Sequence, residues 1–163
     1  MKKMLMAALL MSAVVACAGD RLPKYTLYVN SEELVYGVMK RENPAGDANA
    51  VGDKHLRYRA YGLLQIRYLY LKDVNRIAGK DVQKVWGKKQ LAMEDMKDPA
   101  KAKWAFHVYL WHYGENYRKI TGKTPTVAIY ARIHNGGPSG WKNKRTLAYA
   151  MAVIQNIEAM SRG

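Results

Sequence analysis

Cysteine is nearly missing from this chain of 163 residues, Cys17 being the sole example. An intramolecular disulfide is therefore excluded, and so are a cysteine nucleophile and a cysteine-bound metal. Long apolar runs are missing too. The most apolar stretch, Met4 to Val15, is too short to span a bilayer. No Ser-His-Asp order or phosphate-cradling glycine loop stands out. His107 and His112 fall about 140° out of phase on one helix, so they do not pair on a metal. No cofactor is expected. No internal repeat, low-complexity tract or linker divides the chain. Acidic residues are scarce as well: 13 Asp and Glu stand against 27 Lys and Arg, a formal charge of +14.

That excess points to a polyanionic partner: nucleic acid, an anionic membrane or an acidic polymer. The cations form no compact tract and are spread from Lys24 to Arg162. A dispersed field suits loose attraction to a polymer better than base-specific readout, so nucleic acid is not the expected partner. Apolar residues at 49% and charged residues at 25% are ordinary for a globular chain, and the length fits one domain with a single core. Trp86, Trp104, Trp111 and Trp141 are the large side chains expected to support packing that no disulfide reinforces.

Residues 1–18 read as a secretion leader: Lys2 and Lys3 open it, an apolar stretch follows, and small residues close it. Val14-Val15-Ala16-Cys17 resembles a bacterial lipoprotein signal that would make Cys17 the lipidated first residue and membrane anchor. Ala16-Cys17-Ala18 is an alternative, ordinary cleavage site. Either processing exports the chain, as a periplasmic or membrane-anchored lipoprotein or as a secreted protein. Residues 19–30 read as a short tether, and 31–163 as the folded domain.

Ser31 with Glu32 and Glu33 starts a helix running to about Glu42. Asn43 to Ala60, rich in Gly, Asp and Asn, predicts a loop with a short hairpin, the one place where strand is expected. A helix over about Tyr68–Ala78 closes at Gly79, and a helical piece over Val82–Trp86 ends at Gly87. Asp98-Pro99 opens the helix expected to be central, with Ala102, Ala105, Phe106, Tyr109, Leu110 and Tyr113 as its apolar stripe. Thr124-Pro125 predicts a helix through Ile133. The last helix, Thr146 to Met160, carries Leu147, Ala150, Met151, Ile154 and Ile157. The fold class is α+β, mostly helical, with a small β element.

Val35, Val38, Met39 and Glu42 share one stripe of the first helix, so a carboxyl stands where an apolar residue is expected, just before the Asn43-Pro44 stop. Burial and a helix C-terminus both disfavour its anion, as a general acid near neutral pH requires. A Glu merely ending a helix in solvent is the competing reading.

The Glu at that helix end, the Asn49-Ala50-Val51-Gly52-Asp53 run and Tyr61-Gly62-Leu63-Leu64-Gln65-Ile66 resemble lysozyme-like glycosidases and lytic transglycosylases. The later Ala131-Arg132-Ile133-His134-Asn135-Gly136-Gly137-Pro138-Ser139-Gly140 resembles the signature of invertebrate-type, destabilase-like lysozymes. The resemblance spans roughly Leu34 to Ile157. It implies a lysozyme-like fold, with the β region beside the catalytic helix, and a monomeric enzyme acting on peptidoglycan strands between N-acetylmuramic acid and N-acetylglucosamine. Glu42 would be the acid and Asp53 the second carboxylate, with Asp47 as its rival. Substrate contacts would fall among Tyr61, Gln65, Tyr130, His134, Asn135, Gly136 and Gly137. The bland reading makes Asp53 a turn former, Asn135-Gly136 a helix stop and His134 a satisfied half-buried histidine.

Two other outcomes stay open. With Asp53 as a turn former, Glu42 alone could act as acid and then base, giving the anhydro product of a lytic transglycosylase. A non-catalytic peptidoglycan-binding module is the other. One departure is plain: the disulfide-rich relatives carry a Cys where this chain has Trp141.

Overall fold

The computed structural model describes residues 24–162; the leader and Cys17 lie outside them. Five α-helices and a small sheet make up the described chain: α1 (Ser31–Glu42), β1 (Val51–Gly52), β2 (Ala60–Tyr61), β3 (Ile66–Arg67), α2 (Tyr68–Trp86), α3 (Pro99–Thr121), α4 (Val127–Gly136) and α5 (Leu147–Arg162). The strands lie in the order β1-β2-β3, both pairings antiparallel, with Val51 opposite Tyr61 and Tyr61 opposite Ile66. Short 3-10 turns at Met93–Lys97, Gly140–Lys142 and Lys144–Thr146 complete the connections.

Helix α3 runs through the core. Asp98 caps it by accepting from the Ala100 amide at 2.9 Å, Pro99 fills the first turn, and Gly122 closes it in the left-handed conformation. All six residues of its expected stripe are buried, together with Trp104, His107, Val108, Gly114 and Tyr117. Tyr130 of α4 lies in the groove left by Gly114. It is 1% exposed, and its hydroxyl accepts from the Tyr28 amide at 3.4 Å.

Several boundaries differ from the sequence expectation. The two helical pieces around Gly79 form one helix, α2, bent at Ala78 (φ −125°, ψ 26°). Helix α4 starts at Val127 because the Thr126 hydroxyl, not Thr124, caps it, accepting from the Ile129 amide at 3.4 Å. The third strand lies beyond the expected hairpin region. Residues 24–30 are no free tether: Tyr25 and Leu27 are buried, Tyr25 packs edge-on to Trp104 and Trp111, and its hydroxyl donates to Asp81.

Helix α5 buries Tyr149, Ala150 and Val153, while Leu147 and Met151 from the expected stripe face solvent. The cause is its close packing on α1. A Cβ on Gly37 would stand 2.8 Å from both the Val153 carbonyl oxygen and Ile157 Cγ1, so only glycine permits this approach. Asn156 Nδ2 donates to the Gly37 carbonyl at 3.1 Å, locking the rotation of α5. Further along the same contact, Tyr149 comes to the end of α1, where Glu42 stands.

Candidate active site

Helix α1 delivers Glu42 to the edge of the core. Leu34, Val35, Val38 and Met39 are buried beneath it, and the Asn43 amide closes the helix on the Met39 carbonyl at 2.7 Å. Asn43 is buried and ties down the following loop, its Nδ2 donating to the Asp47 carbonyl at 2.6 Å. The chain must therefore turn sharply at Pro44, leaving the Glu42 side chain at the base of an open cleft of about 750 Å³.

Glu42, Gly52, Asp53, Ala60, Gln65 and Arg67 line that cleft together with His134, Asn135, Gly137 and Pro138 from the end of α4 and the turn after it. Leu69, Tyr70, Lys72, Asp73 and Tyr109 continue it along α2 and α3. The two segments singled out in the sequence thus line one groove.

Burial pushes the Glu42 pKa above the usual carboxylate range. The Tyr149 hydroxyl and the charges of Arg67 and Arg41 oppose that rise, and the Asp53 charge adds to it; burial wins. The Arg41 guanidinium also lies 5.9 Å from the Tyr149 ring centre. The buried Tyr149 hydroxyl makes no hydrogen bond of normal geometry, so its interaction with Glu42 is of borderline geometry. Its own pKa is raised by burial and by the Glu42 charge, so it stays a neutral donor.

Asp53 occupies a left-handed backbone conformation (φ 51°), and its carbonyl accepts from the Leu56 amide at 2.8 Å. It is a turn residue and a cleft residue at once, with its carboxylate 2.6 Å from the Arg67 guanidinium. Gln65, also left-handed (φ 47°), donates through Nε2 to the Gly62 carbonyl at 2.9 Å. A Cβ on Gly52 would collide with the Gln65 amide oxygen, so glycine there admits that side chain to the cleft wall. Two non-glycine residues in this costly conformation on one wall mark it as a place where side-chain position outweighs backbone comfort.

His134 lies behind Tyr149. Its ring packs against Phe106 (5.2 Å), Tyr70 (5.5 Å) and Tyr149 (6.4 Å). Burial lowers its pKa to about 4 despite the opposing effect of the Leu64 backbone, so it is neutral at pH 7. Its Nδ1 is buried without a hydrogen-bond partner. The exposed Asn135 also lines the cleft, as does Gly137 (φ 77°, ψ −166°). That combination of angles is open to glycine almost alone.

Three sequence candidates fall elsewhere. Tyr130 is a core residue, Gly136 packs on the Thr146 side chain (2.7 Å from a Cβ there), and Tyr61 meets Lys97 on the far side of β2 from the cleft lining. Asp47, the rival second carboxylate, accepts from the Asn49 amide at 2.8 Å and does not line the cleft. Trp141 packs edge-on against Tyr117 at 5.1 Å, so aromatic contact holds the turn after α4. Arg67 and Tyr149 were not singled out in the sequence. Arg67 carries no positional signal, whereas Tyr149 shares a helical face with Val153 and could have been found with that face as the buried one.

A half-buried glutamate closing a helix, a small antiparallel sheet beside it and a cleft between that sheet and the helices define a lysozyme-like α+β fold. Tapes japonica lysozyme is a solved structure with this fold: the match has a TM-score of 0.56 at 22% identity and covers 75% of this chain and 86% of that one. No family model matches the sequence, and no curated protein matches it by sequence.

Proposed function

We propose that this chain is an exported peptidoglycan glycosidase, a muramidase that cleaves between N-acetylmuramic acid and N-acetylglucosamine, with Glu42 as its general acid. The observation that carries this reading is a carboxyl whose anion burial disfavours, at the base of an open cleft of about 750 Å³ in a lysozyme-like fold. That volume is in the usual range for a binding cleft.

The protonated Glu42 donates to the glycosidic oxygen as the bond breaks, and the oxocarbenium-like centre that develops needs negative charge or a nucleophile beside it. Asp53 on the same wall supplies that carboxylate. Arg67, 2.6 Å away, orients it. Tyr149, beside Glu42, favours its anion once the proton has left. Asn135 offers donor and acceptor groups to an N-acetyl group or hydroxyl. Export follows from the leader reading, with Cys17 acylated as an anchor or lost with the leader.

The Asp53–Arg67 ion pair at 2.6 Å favours a second reading. A carboxylate engaged by a guanidinium is a weaker nucleophile, and Glu42 could then return as base to the substrate's own hydroxyl, forming an anhydro ring. One experiment tests both. Purified protein is incubated with murein sacculi and the released fragments are weighed by mass spectrometry. Fragments with reducing ends mark the hydrolase, fragments lighter by one water mark the transglycosylase, and equal release by Glu42→Gln overturns both.

A further inference from the structure

Between Lys54 and Lys72 the chain carries Lys54, Arg57, Arg59, Arg67 and Lys72 and not one Asp or Glu. In a sequence whose cations look dispersed, this segment is one-signed, and the contact of Tyr58 with Tyr68 folds its turn back onto the start of α2. Arg67 is held by Asp53. Lys54, Arg57, Arg59 and Lys72 have no carboxylate partner among the described residues, so their charges are open to a ligand.

Apolar surface is exposed on the same segment. Leu56, Tyr58, Tyr68 and Leu69 are 43–64% exposed, and they make up a large share of the exposed large apolar side chains of the described fold. Tyr58 and Tyr68 stack at 5.1 Å with their planes 13° apart, and the Arg57 guanidinium lies 5.5 Å from the Tyr58 ring centre. Leu69 and Lys72 also line the cleft, so the patch is continuous with it.

We infer that this segment, Lys54 to Lys72, is an outer binding wall for the peptidoglycan strand beyond the cleft. Its cations engage the carboxylates of the stem peptides, and its tyrosine stack and leucines cover the apolar faces of the sugars. The inference rests on the muramidase reading above. The partner follows from complementarity: a glycan that leaves the cleft across this wall presents sugar faces and peptide carboxylates, the two chemistries the wall can meet. An anionic membrane would meet the charges but has no need of continuity with the cleft.

Binding, not turnover, tests it, in the Glu42→Gln background so that no substrate is consumed. The probes are murein sacculi and chitin, a glycan without stem peptides. The triple variant Lys54→Gln, Arg57→Gln, Arg59→Gln, none of whose residues lines the cleft, should weaken binding to sacculi about tenfold and flatten its salt dependence. Binding to chitin should not change. Tyr68→Ala should weaken binding to both. A control triple with the same charge loss, Lys80→Gln, Lys119→Gln, Lys123→Gln on α2 past its bend and at the end of α3, should bind sacculi like the parent. Equal binding by the two triples overturns the inference. So does a result in which the first triple keeps its sacculus binding and loses binding to vesicles of anionic phospholipid, which would assign the wall to membranes. If Glu42-intact protein releases no fragments while the binding differences hold, the muramidase reading fails and the wall stands. Circular dichroism and melting of each variant separate these outcomes from misfolding.

Discussion

Arg67 and Asp53, on β3 and in the turn after β1, meet at 2.6 Å at the side of the cleft, with Glu42 within electrostatic reach of both. The pair links the two acidic groups of the site. The Arg67 charge favours the Glu42 anion and the Asp53 charge disfavours it, so their proximity moderates the field that Glu42 experiences. Burial then remains the deciding influence on the acid.

Glu42→Gln removes the transferable proton and keeps the shape. Turnover on sacculi should fall by roughly 100- to 10,000-fold, the usual contribution of a positioned general acid. The stability change should run the other way. A carboxyl whose pKa is raised in the folded state binds its proton more tightly folded than unfolded, so its contribution to stability is fully present below its ordinary pKa and is lost as pH rises through the raised value. At pH 7 the neutral Gln avoids burying an anion. The melting temperature of Glu42→Gln at neutral pH should exceed that of the parent, and a lower value would count against burial as the source of the shift.

Activity should decline on the alkaline side as Glu42 ionises. Arg67→Gln removes a charge that lowers the Glu42 pKa, so this alkaline limb should move to higher pH. A pH–rate profile of the variant checks the direction. A limb moved to lower pH would show that Arg67 does not act on Glu42.

His134 gives a separate acid dependence. Its pKa near 4 in the folded state, against an ordinary value near 6.5, means the unfolded chain takes up its proton first as pH falls. Stability is therefore lost between about pH 6.5 and pH 4, by an amount on the order of 3 kcal/mol at the lower end. Denaturant melts of His134→Gln across that range should show a shallower loss than the parent; the remaining slope belongs in part to His107 and His112, whose pKa values burial also lowers.

Gly37→Ala tests how α5 is placed. The new methyl would lie 2.8 Å from Ile157 Cγ1 and from the Val153 carbonyl oxygen, and the backbone oxygen cannot swing away. Overpacking of this kind costs about 1–3 kcal/mol. Because the same contact carries Tyr149 to Glu42, turnover should drop about tenfold or more with the fold retained. Unchanged turnover in a folded variant would detach Tyr149 from the chemistry.

The helix bearing Glu42, the Asn43-Pro44 stop, the Asp98-Pro99 start of α3 and most of the central stripe were legible in the sequence. Each rests on a local rule: a cap within a turn of its amides, a proline that ends or opens a helix, an apolar repeat of the helical period. The two halves of the cleft were also legible as motifs, through their resemblance to lysozyme-like enzymes. Tyr130 and Gly136 were misplaced for a physical reason. A motif names neighbours along the chain, and a helix turns successive neighbours to different sides, so His134 and Asn135 reach the cleft while Tyr130 enters the core.

The tertiary structure alone decided the rest. Close packing at Gly37 set the rotation of α5 and put Tyr149, not Met151, inside. The three short strands brought Arg67 to Asp53, and the fold stacked Tyr58 on Tyr68. Local pattern determines which residues can form a helix or a turn; which of them meet depends on helices and strands packing at distances in space that no spacing along the chain records.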